Sequence, residues 1–335
     1  MNKSFAAILC TAALAAVLGA QAARADDKVS IIMSWTAEAE HGGFYEALAD
    51  GYYKKHGLDV TIHQGGPQLN TAQMLAAGAV DFRIGSNSGG DLNFVENGVP
   101  AVAVAAIFQK DPAVLIVHPD SGIKTMEDMK GHPISISKVT IDSWWRYLQA
   151  KYGFADSQIR PYTFQIAPFL VDKTLVQQGY LTSEPFAIEN QGGFKPKVFL
   201  LADAAGWKSY ATLMETTTEM VKTKPSVVQR MVDASIEGWY SYLYGDPAPA
   251  NALIKKDNPD MTDAQIAYSW GKMKEYGIVD SGDAKTLGIG AMTNARWKGF
   301  FESVAAVKLY PANLDYKKAY TLQFVNKKHD IEAAK

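Results

Sequence analysis

The chain has 335 residues, with 33 Lys and Arg against 35 Asp and Glu and a formal net charge of −2. That balance gives no electrostatic claim on nucleic acid or on an anionic membrane surface. The single cysteine, Cys10, leaves no second thiol for a disulfide or a thiolate metal site.

Residues 1–25 read as a secretory signal cleaved after Ala25. Lys3 supplies a positive start, residues 5–18 form a short Ala- and Leu-rich run, and Ala23-Arg24-Ala25 gives the small-x-small cleavage pattern. The run is too short and too lightly flanked for a membrane anchor. Cys10 follows Leu9, where a lipoprotein signal has a small residue, so lipidation is not expected. Cleavage removes Lys3 and Arg24 but no acid, which moves the net charge from −2 to about −4. No later apolar stretch approaches the ~20 residues that span a bilayer. The roughly 310 residues that follow suffice for two domains of ordinary size.

Strands and helices then alternate. "KVSIIMSW" (28–35) predicts a buried strand, and the spacing of Phe44, Ala47, Leu48 and Tyr52 predicts a helix over 43–56, stopped at Gly57. "LDVTIHQ", a helix over 70–77, "VDFRIGS", a helix over 90–97 and the apolar "AVAVAAIF" complete a first βαβα series. A second series contains "AVLIVHP", a short helix in "KTMEDMKG", "PISISK", a helix over 141–152 and "IRPYTF". It continues with a helix over 169–178, "GYLTSEPFAIENQGG" and the strand "KVFLLAD". The remainder is helical, at 227–244, 249–256, 262–275 and 291–303. Two α/β units with parallel-dominated sheets and a helical C-terminal region follow from this order.

Ligands of open α/β sheets sit beyond the carboxyl ends of the strands. After the first strand stand Trp35, His41 and Tyr45, with Gly42-Gly43 expected to open space beside the rings. Trp35 reads as pocket ahead of core, Tyr45 fits either, and His41 fits a hydrogen bond to a ligand better than a metal. After the third strand, "GSNSGGD" presents Ser86, Asn87 and Ser88 as a helix cap, alone or with a ligand contact. Trp144 and Trp145 are adjacent in a first helical turn, so at most one faces the core. Pro185 biases Glu184 toward an extended or turn conformation, where its carboxylate reads an amine or lies on the surface. No Rossmann or P-loop glycine pattern, G-x-S-x-G elbow, H-E-x-x-H or EF-hand loop occurs, so binding explains the inventory better than catalysis.

"W…HGGFYEALADGYYKKHGLDV", "LAAGAVDFRIGSNS", "VAVAAIFQKDPAVLIV", "GIKTMEDMKG" and "GYLTSEPFAIE" resemble the periplasmic substrate-binding proteins of ABC importers for nitrate, sulfonates and taurine. Within them, the chain is most similar to the branch related to thiamine-pyrimidine binders. The resemblance spans nearly all of the expected mature chain. It implies a two-lobed periplasmic-binding-protein fold (type II-like) with two hinge crossings, lobes of 26–108 plus 201–335 and of 109–200, and closure on a ligand. It also implies a monomer in the periplasm, without a cofactor, delivering to a membrane permease and ATPase. Carried onto this sequence, the pocket residues are Trp35, His41, Tyr45, Ser86, Asn87 and Ser88, with Gln109 and Lys110 at the first hinge. Thr140, Trp144, Tyr180 and Glu184 come from the other lobe.

The arginines after residue 25 (Arg83, Arg146, Arg160, Arg230 and Arg296) do not sit plainly in strand-end loops. The aromatic loops with one acid favour a flat heterocycle, such as a thiamine-pyrimidine or a flavin-type vitamin precursor. A sulfonate, aromatic carboxylate or nitrate held by "GSNS" and Lys110 is the alternative. A pyrimidine-synthase-like enzyme is more distant, because that group carries a cysteine-rich motif absent here.

Overall fold

The computed structural model describes residues 26–66, 69–162 and 165–327, so the expected signal lies outside the described residues. The first sheet has the order β2-β1-β3-β10-β4, built from β1 (Asp27–Ile32), β2 (Leu58–His63), β3 (Phe82–Asn87), β4 (Ala101–Phe108) and β10 (Ala211–Thr217). β1 pairs in parallel with β2 and β3, while β10 runs antiparallel to both β3 and β4. The second sheet has the order β7-β6-β8-β5-β9, from β5 (Ala113–Val117), β6 (Ile134–Ile136), β7 (Ile159–Pro161), β8 (Val176–Tyr180) and β9 (Lys197–Leu200). Here β5 is the antiparallel strand, against β8 and β9. One reversed strand in each sheet is thus set among four that share a direction. The chain passes between the sheets twice, from β4 to β5 and from β9 to β10.

The helices that position the cleft are α1 (Gly42–Ala49), α2 (Thr71–Ala76), α3 (Ser88–Glu96), α4 (Arg146–Tyr152) and α5 (Glu184–Gly192). The helical tail contributes α6 (Pro225–Tyr244), α7 (Ala248–Asp257), α8 (Asp263–Glu275) and α9 (Asn294–Ala306). All eight residues of β4 are buried, as expected of a strand covered on both faces. Trp239 of α6 meets Phe44 and Phe108 edge-on, each at 5.8 Å, and so joins helix to sheet. No helix among the described residues is long and apolar enough to cross a membrane.

Several predicted elements change. The helix expected over 43–56 breaks at Gly51, whose φ of 73° lies in the left-handed region, and resumes as one turn at Tyr52–Lys55. The helix expected over 169–178 ends at Val171, where Asp172 Oδ1 accepts from the Thr174 amide at 2.9 Å. That Asx turn releases the chain into β8, which buries Gln177 and Gln178 in the sheet and disguises its strand character. "KTMEDMKG" forms only a 3₁₀ turn at Glu127–Met129. The predicted strand over 159–164 stops at Pro161, and residues 163–164 lie outside the described residues. β10 had no counterpart in the sequence reading, because Glu215, Thr216 and Thr217 conceal a strand buried between two neighbours.

Candidate functional site

The carboxyl ends of β1, β3, β6 and β8 converge with the start of β5, as expected of mixed sheets with a shared strand direction. They enclose a chamber of about 90 Å³. Its lining includes Trp35 after β1, Ser86 and Asn87 at the end of β3, and Asp111 in the first crossing. Across the cleft stand Ser137, Thr140, Ser143 and Trp144 after β6, with Gln178, Tyr180, Ser183 and Glu184 around the end of β8. The structure therefore brings seven of the anticipated site residues together: Trp35, Ser86, Asn87, Thr140, Trp144, Tyr180 and Glu184.

The local chain explains several placements. Ser143 leaves helical geometry (φ −125°, ψ −114°) within the wide turn that precedes α4. The two adjacent tryptophans diverge there. Trp145 is fully buried and donates from Nε1 to Asp156 at 3.1 Å, whereas Trp144 lines the chamber. Glu184 is the first residue of α5, not an extended residue as Pro185 had implied, because proline is tolerated in a first helical turn. Its carboxylate accepts from Tyr162 Oη at 2.8 Å and the Tyr180 amide at 2.7 Å. Gly179 makes this possible, since a Cβ there would come within 2.8 Å of the Glu184 side chain.

Three carboxyl groups face this chamber, from Glu38, Asp111 and Glu184, and its described lining contains no Lys or Arg. Burial pushes Asp111 up to about 7, although it accepts from the Ala113 amide at 3.0 Å and Trp207 Nε1 at 2.8 Å. Burial also raises Glu184 above its ordinary range, against the hydrogen bonds that favour its ionised form. Glu38 is raised by burial and by the charges of Glu40 and Glu184. Burial thus disfavours the charged form of each acid, and an N–H donor or a positive charge nearby favours it.

A second chamber of about 270 Å³ adjoins the first and shares Ser34, Ser86, Asn87 and Ser143 with it. Its charged lining residues are Arg83 and Lys138. Arg83 Nε donates to Thr71 Oγ1 at 2.8 Å, and its guanidinium pairs with the fully buried Glu215 and lies 5.5 Å from the Phe94 ring.

Five anticipated residues lie outside both chambers. Tyr45 is 1% exposed on the face of α1 that packs toward α6 and α7, and its hydroxyl donates to Asp257 at 2.9 Å. Gly42 and Gly43 do not open a pocket. A Cβ would fall 2.1 Å from the Tyr242 ring at Gly42 and 2.2 Å from the Trp239 ring at Gly43, so the pair permits a close crossing of α1 and α6. His41 is buried with Nε2 3.3 Å from Ser34 Oγ, and reaches the cleft only through that hydroxyl. Burial lowers its pKa to about 3, too far below neutrality for an effective general base toward Ser34. Ser88 is fully buried, and its amide donates to Ser209 Oγ at 2.9 Å and Tyr210 O at 3.2 Å, which ties α3 to the second crossing. Gln109 and Lys110 line a separate cavity of about 690 Å³, where Arg296 donates to the Gln109 carbonyl. Lys110 is therefore not placed to hold an anion in the cleft.

Ser34, Glu38, Asp111, Ser137, Ser143, Gln178, Gly179 and Ser183 line the first chamber without having been singled out. Glu38 and Asp111 stand in the loops that follow β1 and β4, and Asp111 before Pro112 is biased toward extended backbone. The strand-end rule applied to every polar residue, not to rings alone, finds both.

Two mixed α/β sheets joined by two chain crossings, with a cleft at their strand ends, define a periplasmic-binding-protein fold. The chain belongs to the NMT1/THI5-like family, whose model matches residues 38–250. It is 24% identical over 306 residues to the riboflavin-binding protein RibY of Chloroflexus aurantiacus, covering 89% of this chain and 86% of that one. Among solved structures it is similar to the periplasmic aliphatic sulphonate binding protein SsuA of Escherichia coli, with a TM-score of 0.63 and 14% identity. That match covers 88% of this chain and 91% of the other. The desulfurization enzyme DSZB shares the fold at a TM-score of 0.57 and 12% identity, covering 92% of this chain and 98% of that one. The fold alone thus accommodates both binding and catalysis.

Proposed function

We propose that the protein is the periplasmic solute-binding component of an ABC importer and captures a flat, N–H-bearing heterocycle. Its lobes comprise residues 26–108 with 201–335, and 109–200. They close on the ligand for delivery to a permease and its ATPase. One observation carries the ligand class: aromatic side chains and three carboxyl groups surround a chamber whose described lining has no cation. Trp35, Trp144 and Tyr180 supply flat faces, and Glu38, Asp111 and Glu184 accept from ring or exocyclic N–H groups. A riboflavin-binding relative over most of the chain supports the same chemistry. The sulfonate alternative, which the likeness to SsuA brings forward, meets carboxylates in this chamber where an anion needs donors. Binding is favoured over turnover because the side-chain contact of Ser34 with His41 at the cleft has a histidine of very low basicity.

Isothermal titration with 4-amino-5-hydroxymethyl-2-methylpyrimidine, riboflavin, taurine and an alkanesulfonate tests this reading. Binding of a heterocycle with loss of affinity in Glu184→Gln is expected. Binding of sulfonates alone, unaffected by Glu184→Gln, would overturn it.

A further inference from the structure

The cavity of about 690 Å³ at the two crossings shares no lining residue with either chamber of the cleft. The first crossing separates them: Lys110 lines the hinge cavity, while its neighbour Asp111 lines the inner chamber. Two polar groups in the wall of the hinge cavity are incompletely used. Gln109 is 1% exposed, and its Nε2 donates to the carbonyls of Ala106 at 3.0 Å and Ala291 at 2.9 Å. Those two bonds fix the orientation of the amide and leave Oε1 as a buried acceptor with no partner among the described residues. Arg296, at the start of α9, is half-buried and pairs with no carboxylate among the described residues. Its Nη2 donates to the carbonyls of Gln109 and Ser209, one on each crossing, and its guanidinium carbon lies 4.5 Å from the centre of the Tyr210 ring. Nη1 and Gln109 Oε1 converge: a Cβ at Gly282, in the same wall, would fall 2.9 Å from the first and 3.5 Å from the second. A buried acceptor without a donor and a half-buried guanidinium without an anion are both costly, and here they meet at one point.

We propose that the hinge cavity is a second binding site, for a small molecule that carries a carboxylate next to an N–H group, as an α-amino acid does. The carboxylate accepts from Arg296 Nη1, and Lys110 and Lys208 add positive charge beside it. The adjacent N–H donates to Gln109 Oε1. A bare anion would leave that oxygen unsatisfied, and a bare amine would meet three cationic side chains. Of the two acids in the lining, Asp203 is exposed and Asp283 already accepts from Tyr210 and Thr293. The site shares no residue with the cleft, so its test stands whatever the cleft binds.

Titration calorimetry with the standard amino acids at millimolar concentration tests the site. At least one is expected to bind, with a dissociation constant of about 0.1–1 mM. Its methyl ester, which lacks the carboxylate, and its N-trimethyl betaine, which lacks the N–H, are each expected to bind about tenfold more weakly. Gly282→Ala sets a methyl group at the point of convergence, and Arg296→Lys keeps the charge but withdraws Nη1. Both are expected to weaken binding about tenfold or more. Gly282 has a φ of 53°, so its variant also carries backbone strain. Lys110→Ala removes only a flanking charge and is expected to weaken binding about threefold, which reads the site even if the other variants fail to fold. Binding lost in Trp144→Ala but kept in Gly282→Ala and Lys110→Ala would put the amino acid in the cleft and overturn the hinge site. Equal affinity for the amino acid, its ester and its betaine would overturn it too, as would the failure of every amino acid to bind.

Discussion

Residues 34–45 and residues 137–184 carry the same kinds of side chain, yet the structure uses them differently. In the later stretch Thr140, Trp144, Tyr180 and Glu184 all line the inner chamber. In the earlier one only Trp35 of the three anticipated residues does, while His41 and Tyr45 are covered by protein. The difference is one of obligation. Trp144 stands in an irregular turn and Glu184 at the first residue of α5, both at strand ends that face the cleft, whereas Tyr45 belongs to a helix that must bury a face against α6. Rings beside paired glycines therefore describe a close helix crossing as readily as a pocket. Only the partner helix, some 190 residues away in sequence, decides between them.

The largest expected effect tests that crossing. A Cβ at Gly43 would meet the Trp239 ring at 2.2 Å, and one at Gly238 would meet the Gly43 carbonyl oxygen at 2.3 Å. Gly43→Ala should therefore cost about 3 kcal/mol in denaturant unfolding, at the upper end for overpacking. Gly271 of α8 has open space around its missing Cβ, so Gly271→Ala should stabilise by up to ~1 kcal/mol. If Gly43→Ala proved neutral, the tight crossing of α1 and α6 would not be what Gly43 provides.

Cleft-facing rings should instead register in binding. Trp35→Ala and Trp144→Ala are each expected to weaken heterocycle binding by ~1–3 kcal/mol, the range for bases stacked on aromatic side chains. Titration calorimetry reads this directly. A melting temperature that collapses without any change in affinity would move either tryptophan to the structural side of the comparison.

His41 sharpens the contrast through pH. Its pKa in the folded protein is about 3, below the ordinary 6.5, because burial disfavours the charged ring. Below pH 6.5 the unfolded chain thus binds a proton that the folded one refuses. The histidine's contribution is present above 6.5 and is lost as pH falls toward 3, at up to ~1.4 kcal/mol per pH unit. Glu40 and Asp111, pushed up to about 7 by burial, act in the opposite sense: the folded state keeps their protons while the unfolded state releases them above their ordinary values of 4.5 and 3.8. Comparing unfolding of the parent and His41→Gln between pH 7 and 5.5 isolates the histidine. The parent should lose about 1 kcal/mol more than the variant, and parallel curves would show that His41 titrates freely.

Much of the architecture was legible because it rests on local periodicity. "AVAVAAIF" and the four long helices of the tail announce themselves by composition and spacing. β10 did not, since a polar-looking segment became a central strand only through pairing with β3 and β4. The site divides the same way. Strand-end position located Trp35, Thr140 and Glu184, but the company they keep depends on the tertiary fold. Glu38 and Asp111 join Glu184 in one chamber only because the two sheets meet at their strand ends, and no residue-by-residue reading contains that information.

Tyr45→Phe is the smallest and cleanest test of the comparison. The hydroxyl donates to Asp257, which is exposed and regains water when the donor is lost, so the cost should be only about 0.5–1 kcal/mol. The ring remains packed on α1 in the variant, so the cleft should keep its shape and heterocycle affinity should change less than twofold. By residue type and position Trp35 reads as pocket and Tyr45 as either pocket or core, and the two variants should separate cleanly. Stability alone should move for Tyr45, and affinity chiefly for Trp35. A tenfold loss of binding in Tyr45→Phe would mean that α1 shifts on closure and carries its buried face into the work of binding. The boundary between core and cleft would then move with closure.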